Sequence, residues 1–209
     1  PILMLFNPNN PTGQIISREM LEEILTICER RKMFLFIDEC FLDLTDGGDC
    51  LTMKPYLQTH QNLFLLKAFT KSYGMAGLRL GYCLCGNAPL LRTMGQTVQP
   101  WNVSVPAQKA GVAALKQTAF LEKAKQTIRE QRAALTRGLR ELGLRVIGSH
   151  TNYILFYSDR ELREPLLEKG IQIRSCANYP GLEAGWYRIA VKLPRENETL
   201  LAALKEILR

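Results

Sequence analysis

No apolar run in this 209-residue chain approaches the roughly 20 residues needed to cross a bilayer. The amino end lacks the charged and apolar regions of an export leader. Histidine is nearly missing, with only His60 and His150, and the cysteines at 28, 40, 50, 83, 85 and 176 include no C-x-x-C pair. That spacing argues against a zinc site, so no metal ligand is assigned. Most of the cysteines lie within or beside apolar runs, where cysteine behaves as a small hydrophobe. The usage suits a reducing cytosol, and a cytoplasmic location is expected. There are no internal repeats and no low-complexity linker. The chain opens without Met, directly in a strand-like run, and reads as a piece of a longer protein.

What is present is ordinary globular material, 46% hydrophobic and 22% charged, in a length that suits one large domain or two small ones. The net charge is +7, but the basic residues are scattered. Their densest stretch, residues 116–140, mixes Lys and Arg with Glu122 and Glu130 in a helix-like pattern. It reads as a solvated helix face rather than a nucleic-acid surface. Small anionic ligands are another use for the charge.

Residues 1–6 read as a buried strand. Ser17 then opens a helix with Met20, Leu21, Ile24, Leu25 and Cys28 on one face, Glu19 early and Arg30 late, as the helix dipole prefers. Further apolar runs fall at 33–37, 63–66 and 78–85. Strands apolar on both faces, with a helix between the first two, indicate β-α-β units and a mainly parallel sheet. In such sheets ligands collect beyond the carboxyl ends of the strands, and Asn10, Asp38 and Lys71 all follow strand ends. A helical stretch from Pro106 to about Gly143, broken near 118, leads into strand–helix–strand material and a last helix at about 196–208. The expected domains are residues 1–120 and a small α+β unit at 121–209.

N-P-N-N-P-T-G (7–13) is on its own a tight turn. Asp38 leaves an apolar strand, and its carboxylate is a cap, a structural ion pair or a partner for a protonated ring nitrogen. Lys71 lies in F-T-K-S-Y-G-M-A-G-L-R-L-G-Y (69–82), a low-charge segment. An apolar setting there would make its amine a ready nucleophile toward a carbonyl. Arg79, flanked by Gly77 and Gly81, suits a phosphate. Arg188, in the apolar W-Y-R-I-A-V, needs an anion nearby, from substrate or from a structural carboxylate.

Taken in order, N-P-N-N-P-T-G, I-D-E-C-F (37–41) and T-K-S-Y-G-M-A-G-L-R-L-G-Y resemble the later part of the fold-type I, pyridoxal-phosphate-dependent aminotransferases, class I and II. The resemblance runs over residues 1–209 and covers about the C-terminal half to three-fifths of such an enzyme. It implies an α/β fold with a mainly parallel sheet, flanking helices and a small C-terminal α+β domain. It also implies pyridoxal 5'-phosphate as cofactor. Lys71 would link covalently to the cofactor aldehyde, Asp38 would pair with the ring nitrogen, Asn10 would bond the ring oxygen, and Arg79 would bind the phosphate. Two departures stand out. Phe41 occupies a position where many relatives carry Tyr, and Ala68 one where many carry Ser or Thr, leaving Thr70 or parts of the protein outside these residues to supply the phosphate ligand.

Arg188 and Arg174 are implied to grip the substrate, with Asn102 and Asn152 as further substrate-side candidates; Asn152 also reads as a strand start, Trp101 as a core aromatic and Asn102 as a turn residue. Q-P-W-N-V-S (99–104), D-E-C-F and I-R-S-C-A-N-Y-P-G-L (173–182) look more like the threonine-phosphate decarboxylases of cobalamin biosynthesis than the histidinol-phosphate aminotransferases. Both act on small phosphorylated substrates. The full-length protein is expected to be a homodimer that binds neither nucleic acid nor membrane, and the 209 residues alone are expected to be inactive. A ligand-sensing domain of a transcription regulator is the alternative from another class.

Overall fold

Apolar runs rich in branched and aromatic side chains become strands when both faces can be covered. The computed structural model, which describes residues 1–209, forms three of them as β1 (Ile2–Phe6), β2 (Phe34–Asp38) and β3 (Leu63–Ala68). They pair in parallel, with Ile37 between Leu5 and Leu65. Helix α1 (Arg18–Arg30) makes the connection from β1 to β2; Ser17 Oγ accepts the Met20 N–H at 3.3 Å at its start. It buries Leu21, Leu25 and Cys28 against Leu35, Ile37, Leu63 and Leu65.

Beyond β2 lie a 3-10 turn at Leu42–Leu44, the short α2 (Gly48–Leu51) and a second 3-10 turn at Lys54–Gln58. A single helical turn, α3 (Phe69–Ser72), follows β3, and β4 (Gly81–Cys85) returns antiparallel on β3. Two expectations change here. The fourth run does not extend from 78, because residues 76–78 make a 3-10 turn and Arg79 takes φ +52, which delays the strand to Gly81. Nor is β1 buried on both faces. It is the edge strand, and the two-residue period of a strand sends Leu3 and Leu5 into the core while Ile2, Met4 and Phe6 alternate onto an exposed face.

Helices α4 (Ala88–Thr97), α5 (Val105–Ala114) and α6 (Thr118–Glu141) follow, with the helical stretch interrupted at 115–117. Then come β5 (Arg145–Val146), β6 (Tyr153–Tyr157), α7 (Arg163–Glu168), β7 (Arg174–Ser175), β8 (Trp186–Ala190) and α8 (Pro194–Leu208). The second sheet is antiparallel in the order β5-β6-β8-β7. Its core joins Leu135 and Leu139 to Ile154, Phe156, Ile189, Leu200 and Leu204. None of the helices is long and apolar enough to cross a membrane.

The chain divides into two compact units, residues 1–8 with 15–122, and residues 9–14 with 123–209. The six residues 9–14 thus belong with the second unit rather than with the strand that precedes them. Their hydrogen bonds explain why. Tyr153 Oη donates to the Asn9 carbonyl at 2.8 Å, the His150 N–H to the Gly13 carbonyl at 3.0 Å, and the Gln14 side chain to the Gly148 carbonyl.

Leu35, fully buried at the centre of the first unit's core, should be costly to truncate. Leu35→Ala is expected to lower unfolding free energy by about 2–5 kcal/mol in urea titration. Met20→Ala on the exposed side of α1 should stay within about 0.5 kcal/mol.

Candidate functional site

In the first unit, parallel pairing brings the carboxyl ends of β1, β2 and β3 to one edge, and the pairing of Gly81 with Ala68 starts β4 at that same edge. Asp38 ends β2 there. Its carbonyl accepts the Asn7 N–H at 3.0 Å, and the next residue's N–H reaches the Leu66 carbonyl at 2.9 Å, so its backbone is held from both neighbouring strands. The half-buried carboxylate accepts the Cys40 N–H at 2.9 Å, which orients it through a local turn. Burial, followed by the hydrogen bond to Asp38, pushes the Cys40 thiol up to about 12.

Lys71 lies in α3, just past β3, with Nζ 5.5 Å from the centre of the Phe41 ring. The apolar burial expected for it is not found. Lys71 is exposed, because the segment from 69 to 80 folds as two short turns instead of continuing a covered strand. Thr70 is half-buried on the same turn. Arg79 is exposed in the left-handed region and its Nη1 donates to the Ala76 carbonyl at 3.0 Å. Asp38, Phe41, Thr70, Lys71 and Arg79 are therefore all carried by segments at one edge of one unit.

Behind that edge lies a charged cluster that sequence reasoning did not single out. Lys67, near the end of β3, places Nζ 3.1 Å from Glu39 Oε2 and 2.8 Å from Asp43 Oδ1. Burial opposes its charge, but the two carboxylates outweigh it and hold the ammonium's pKa above the usual lysine value. The only sequence signal was one lysine closing an otherwise apolar run, L-F-L-L-K-A.

The second unit holds the other candidates. The Arg188 side chain, on β8, donates from Nη1 to Asn10 Oδ1, and its guanidinium lies 5.4 Å from the Tyr153 ring centre. The partner is thus an amide rather than a structural carboxylate. Arg174 is directly opposite Arg188 in the β7–β8 register and donates to Asn178 Oδ1 at 3.4 Å. Asn152 precedes β6; its carbonyl accepts the Val191 N–H at 2.8 Å and its Oδ1 accepts from Thr151 Oγ1 at 3.2 Å, a strand-start role. The loop at 9–14 is closed by Thr12 Oγ1 donating to Asn9 Oδ1 at 2.7 Å. It is kept tight by Gly13, at φ +71, where a Cβ would collide with the Ser149 side chain. Between α4 and α5 in the first unit, Asn102 is exposed, and Trp101 is almost fully exposed at φ +58, which overturns a core role for it.

The family model for aminotransferase class I and II matches residues 1–204. This chain belongs to that family. It is 36% identical to the threonine-phosphate decarboxylase of Salmonella typhimurium, over 99% of this chain and 57% of that protein. Among solved structures it resembles the histidinol-phosphate aminotransferase from Clostridium acetobutylicum, with a TM-score of 0.94 and 30% identity over 99% of this chain and 64% of that one. A histidinol-phosphate aminotransferase from Sinorhizobium meliloti, solved in complex with pyridoxal-5'-phosphate, matches all of this chain and 57% of its own at TM-score 0.86 and 25% identity. The chain therefore spans somewhat over half the length of its relatives, and the fold-type I architecture implied by its motifs is the one it adopts.

Cys40's raised pKa gives a direct chemical check. A thiol that ionises near 12 is neutral at pH 8, and only the thiolate attacks an alkylating reagent. Iodoacetamide at pH 8 is expected to label exposed Cys50 readily and Cys40 at least tenfold more slowly, read by peptide mass spectrometry. Labelling of Cys40 should accelerate as pH rises toward 12.

Proposed function

We propose that the protein carrying this chain is a pyridoxal-phosphate-dependent decarboxylase of L-threonine O-3-phosphate, forming 1-amino-2-propanol phosphate. The observation that carries the reading is the facing of Arg174 and Arg188 across β7 and β8, with Asn10 bonded to Arg188. Two guanidiniums side by side suit a substrate with two anionic groups, here a carboxylate and a phosphate. The 36% identity to a threonine-phosphate decarboxylase supports it.

The chemistry of the first unit's donor set fits the cofactor. An amine at Lys71 matches an aldehyde, a carboxylate at Asp38 matches a protonated ring nitrogen, and a guanidinium at Arg79 matches a phosphate, with Thr70 as a further donor and the Phe41 ring beside the amine. When bound, pyridoxal phosphate takes up the electron pair released at the substrate's α-carbon. Asp38 keeps the ring nitrogen protonated. Lys71 Nζ would deliver a proton to the substrate's α-carbon, taking the place of the carbon dioxide lost. Arg188 holds the carboxylate. The Asn10 amide oxygen is taken by Arg188, which leaves its Nδ2 as a donor.

Histidinol-phosphate amino transfer is the second reading, favoured by the TM-score of 0.94 to such an enzyme. Histidinol phosphate carries a phosphate but no carboxylate, so under that reading the arginines would have one anionic group to hold rather than two.

In the full-length protein, O-phosphothreonine is expected to release carbon dioxide without accumulation of pyridoxamine phosphate. Amino transfer from histidinol phosphate to 2-oxoglutarate would instead establish the second reading. Borohydride should fix the cofactor to Lys71, and a label on another lysine refutes the assignment. Arg188→Gln is expected to raise KM for O-phosphothreonine by about 10- to 100-fold, the loss of a charged hydrogen-bonded contact. The 209-residue chain alone should neither develop a strong cofactor absorbance band nor turn over.

A further inference from the structure

The turn that carries Lys71 and the turn that follows Asp38 meet at one buried cluster of charge. Glu39 is completely buried, and its two oxygens take three contacts: Oε2 accepts Thr52 Oγ1 at 2.7 Å and faces Lys67 Nζ at 3.1 Å, while Oε1 accepts the Met53 N–H at 3.0 Å. Asp43 uses one oxygen for Lys67 at 2.8 Å and the other for Ser72 Oγ at 3.3 Å. Ser72 is 2% exposed and is the residue next to Lys71. Glu39 and Asp43 bracket the Cys40–Phe41 step, whose ring lies under the Lys71 ammonium. One ammonium therefore grips both ends of the turn after Asp38, and the hydroxyl of Ser72 carries that grip to α3.

A cluster built this way is a poor device for stability alone. Moving charges out of water costs several kcal/mol per ion, and a well-packed apolar replacement often does as well or better. Two carboxylates for one lysine make the balance less favourable still. What such a cluster does supply is direction: each member has a defined partner, so the two turns have one arrangement that satisfies all of them.

We infer that Lys67, through Asp43 and Ser72, is a positioning residue that sets the turn carrying Lys71 against the turn that follows Asp38. The inference rests on the proposed cofactor role of Lys71. It assigns Lys67 no contact with cofactor or substrate.

The test uses Asp43→Asn and Ser72→Ala in the full-length protein, with Lys67→Arg as the conservative variant, because removing the ammonium outright would strand the buried Glu39 carboxylate and the half-buried one of Asp43. The first readout needs no cofactor. The Tyr73 N–H is bonded to the Phe69 carbonyl across α3 at 3.2 Å, and its hydrogen exchange should quicken at least tenfold in both variants. Amides in the β2–β3 ladder should keep wild-type protection. The second is cofactor affinity by equilibrium dialysis and kcat. A displacement of about 1 Å at a reacting group can cost on the order of a hundredfold, so both should weaken by about ten- to a hundredfold. Lys67→Arg should retain most of each.

Unchanged Tyr73 exchange in both variants overturns the inference, and so does an increase shared equally with the β2–β3 amides, which marks a purely structural ion cluster. Absence of a borohydride label at Lys71 in the wild-type protein refutes the cofactor reading alone. The exchange measurement still decides whether the cluster orders the turn.

Discussion

The first unit depends on the parallel register of β1, β2 and β3. Because all three run the same way, their polar ends accumulate along one edge. Because side chains alternate along a strand, a slip of one residue in β2 would exchange Asp38 and Ile37 between faces. The burial of Leu35 and Ile37 beneath α1 prevents that slip. A requirement of packing thereby fixes the placement of a carboxylate. The bonds from Asn7 to the Asp38 carbonyl and from Glu39 to the Leu66 carbonyl extend the ladder to its last residue, where fraying would otherwise set in.

Charge is handled in two ways. In the first unit, Lys67 and Glu39 are withdrawn from water and, with the half-buried Asp43, satisfy one another, while Lys71 and Arg79 are left exposed at the edge. In the second unit Arg188 is neither buried with a carboxylate nor left in water. It is held by an amide and lies over an aromatic ring. An amide orients a guanidinium without cancelling its charge, which leaves that charge available for an anion.

Much of this was legible in the residues themselves. Strands β1, β2 and β3 announced themselves as short apolar runs, and α1 by Ser17 and its apolar face, because these signals are local. The three ordered motifs pointed to the family because glycine, proline and charge at strand ends are tightly constrained there. What could not be read depended on contacts distant in sequence. The exposure of Lys71 follows from how 69–80 breaks into turns, which its apolar composition concealed. The exposed face of β1 follows from strand alternation, with Leu3 and Leu5 turned to the core and Ile2, Met4 and Phe6 away from it, and Trp101 is exposed on the loop between α4 and α5. The assignment of 9–14 to the second unit rests on bonds from Tyr153 and His150. Lys67 looked like an ordinary charge at a strand end, since its partners Glu39 and Asp43 lie 28 and 24 residues earlier.

The bond between Arg188 and Asn10 joins residues separated by 178 positions. On the ribosome, Asn10 waits through the synthesis of a further 178 residues before its partner exists. Until then the proline-rich loop has no guanidinium to anchor its amide, and the second unit's sheet lacks β8, which sits between β6 and β7. The Arg188–Asn10 pair thus cannot assemble until residue 188 has been made. A polypeptide halted before residue 188 would carry every member of the Lys67 cluster yet lack this pair altogether.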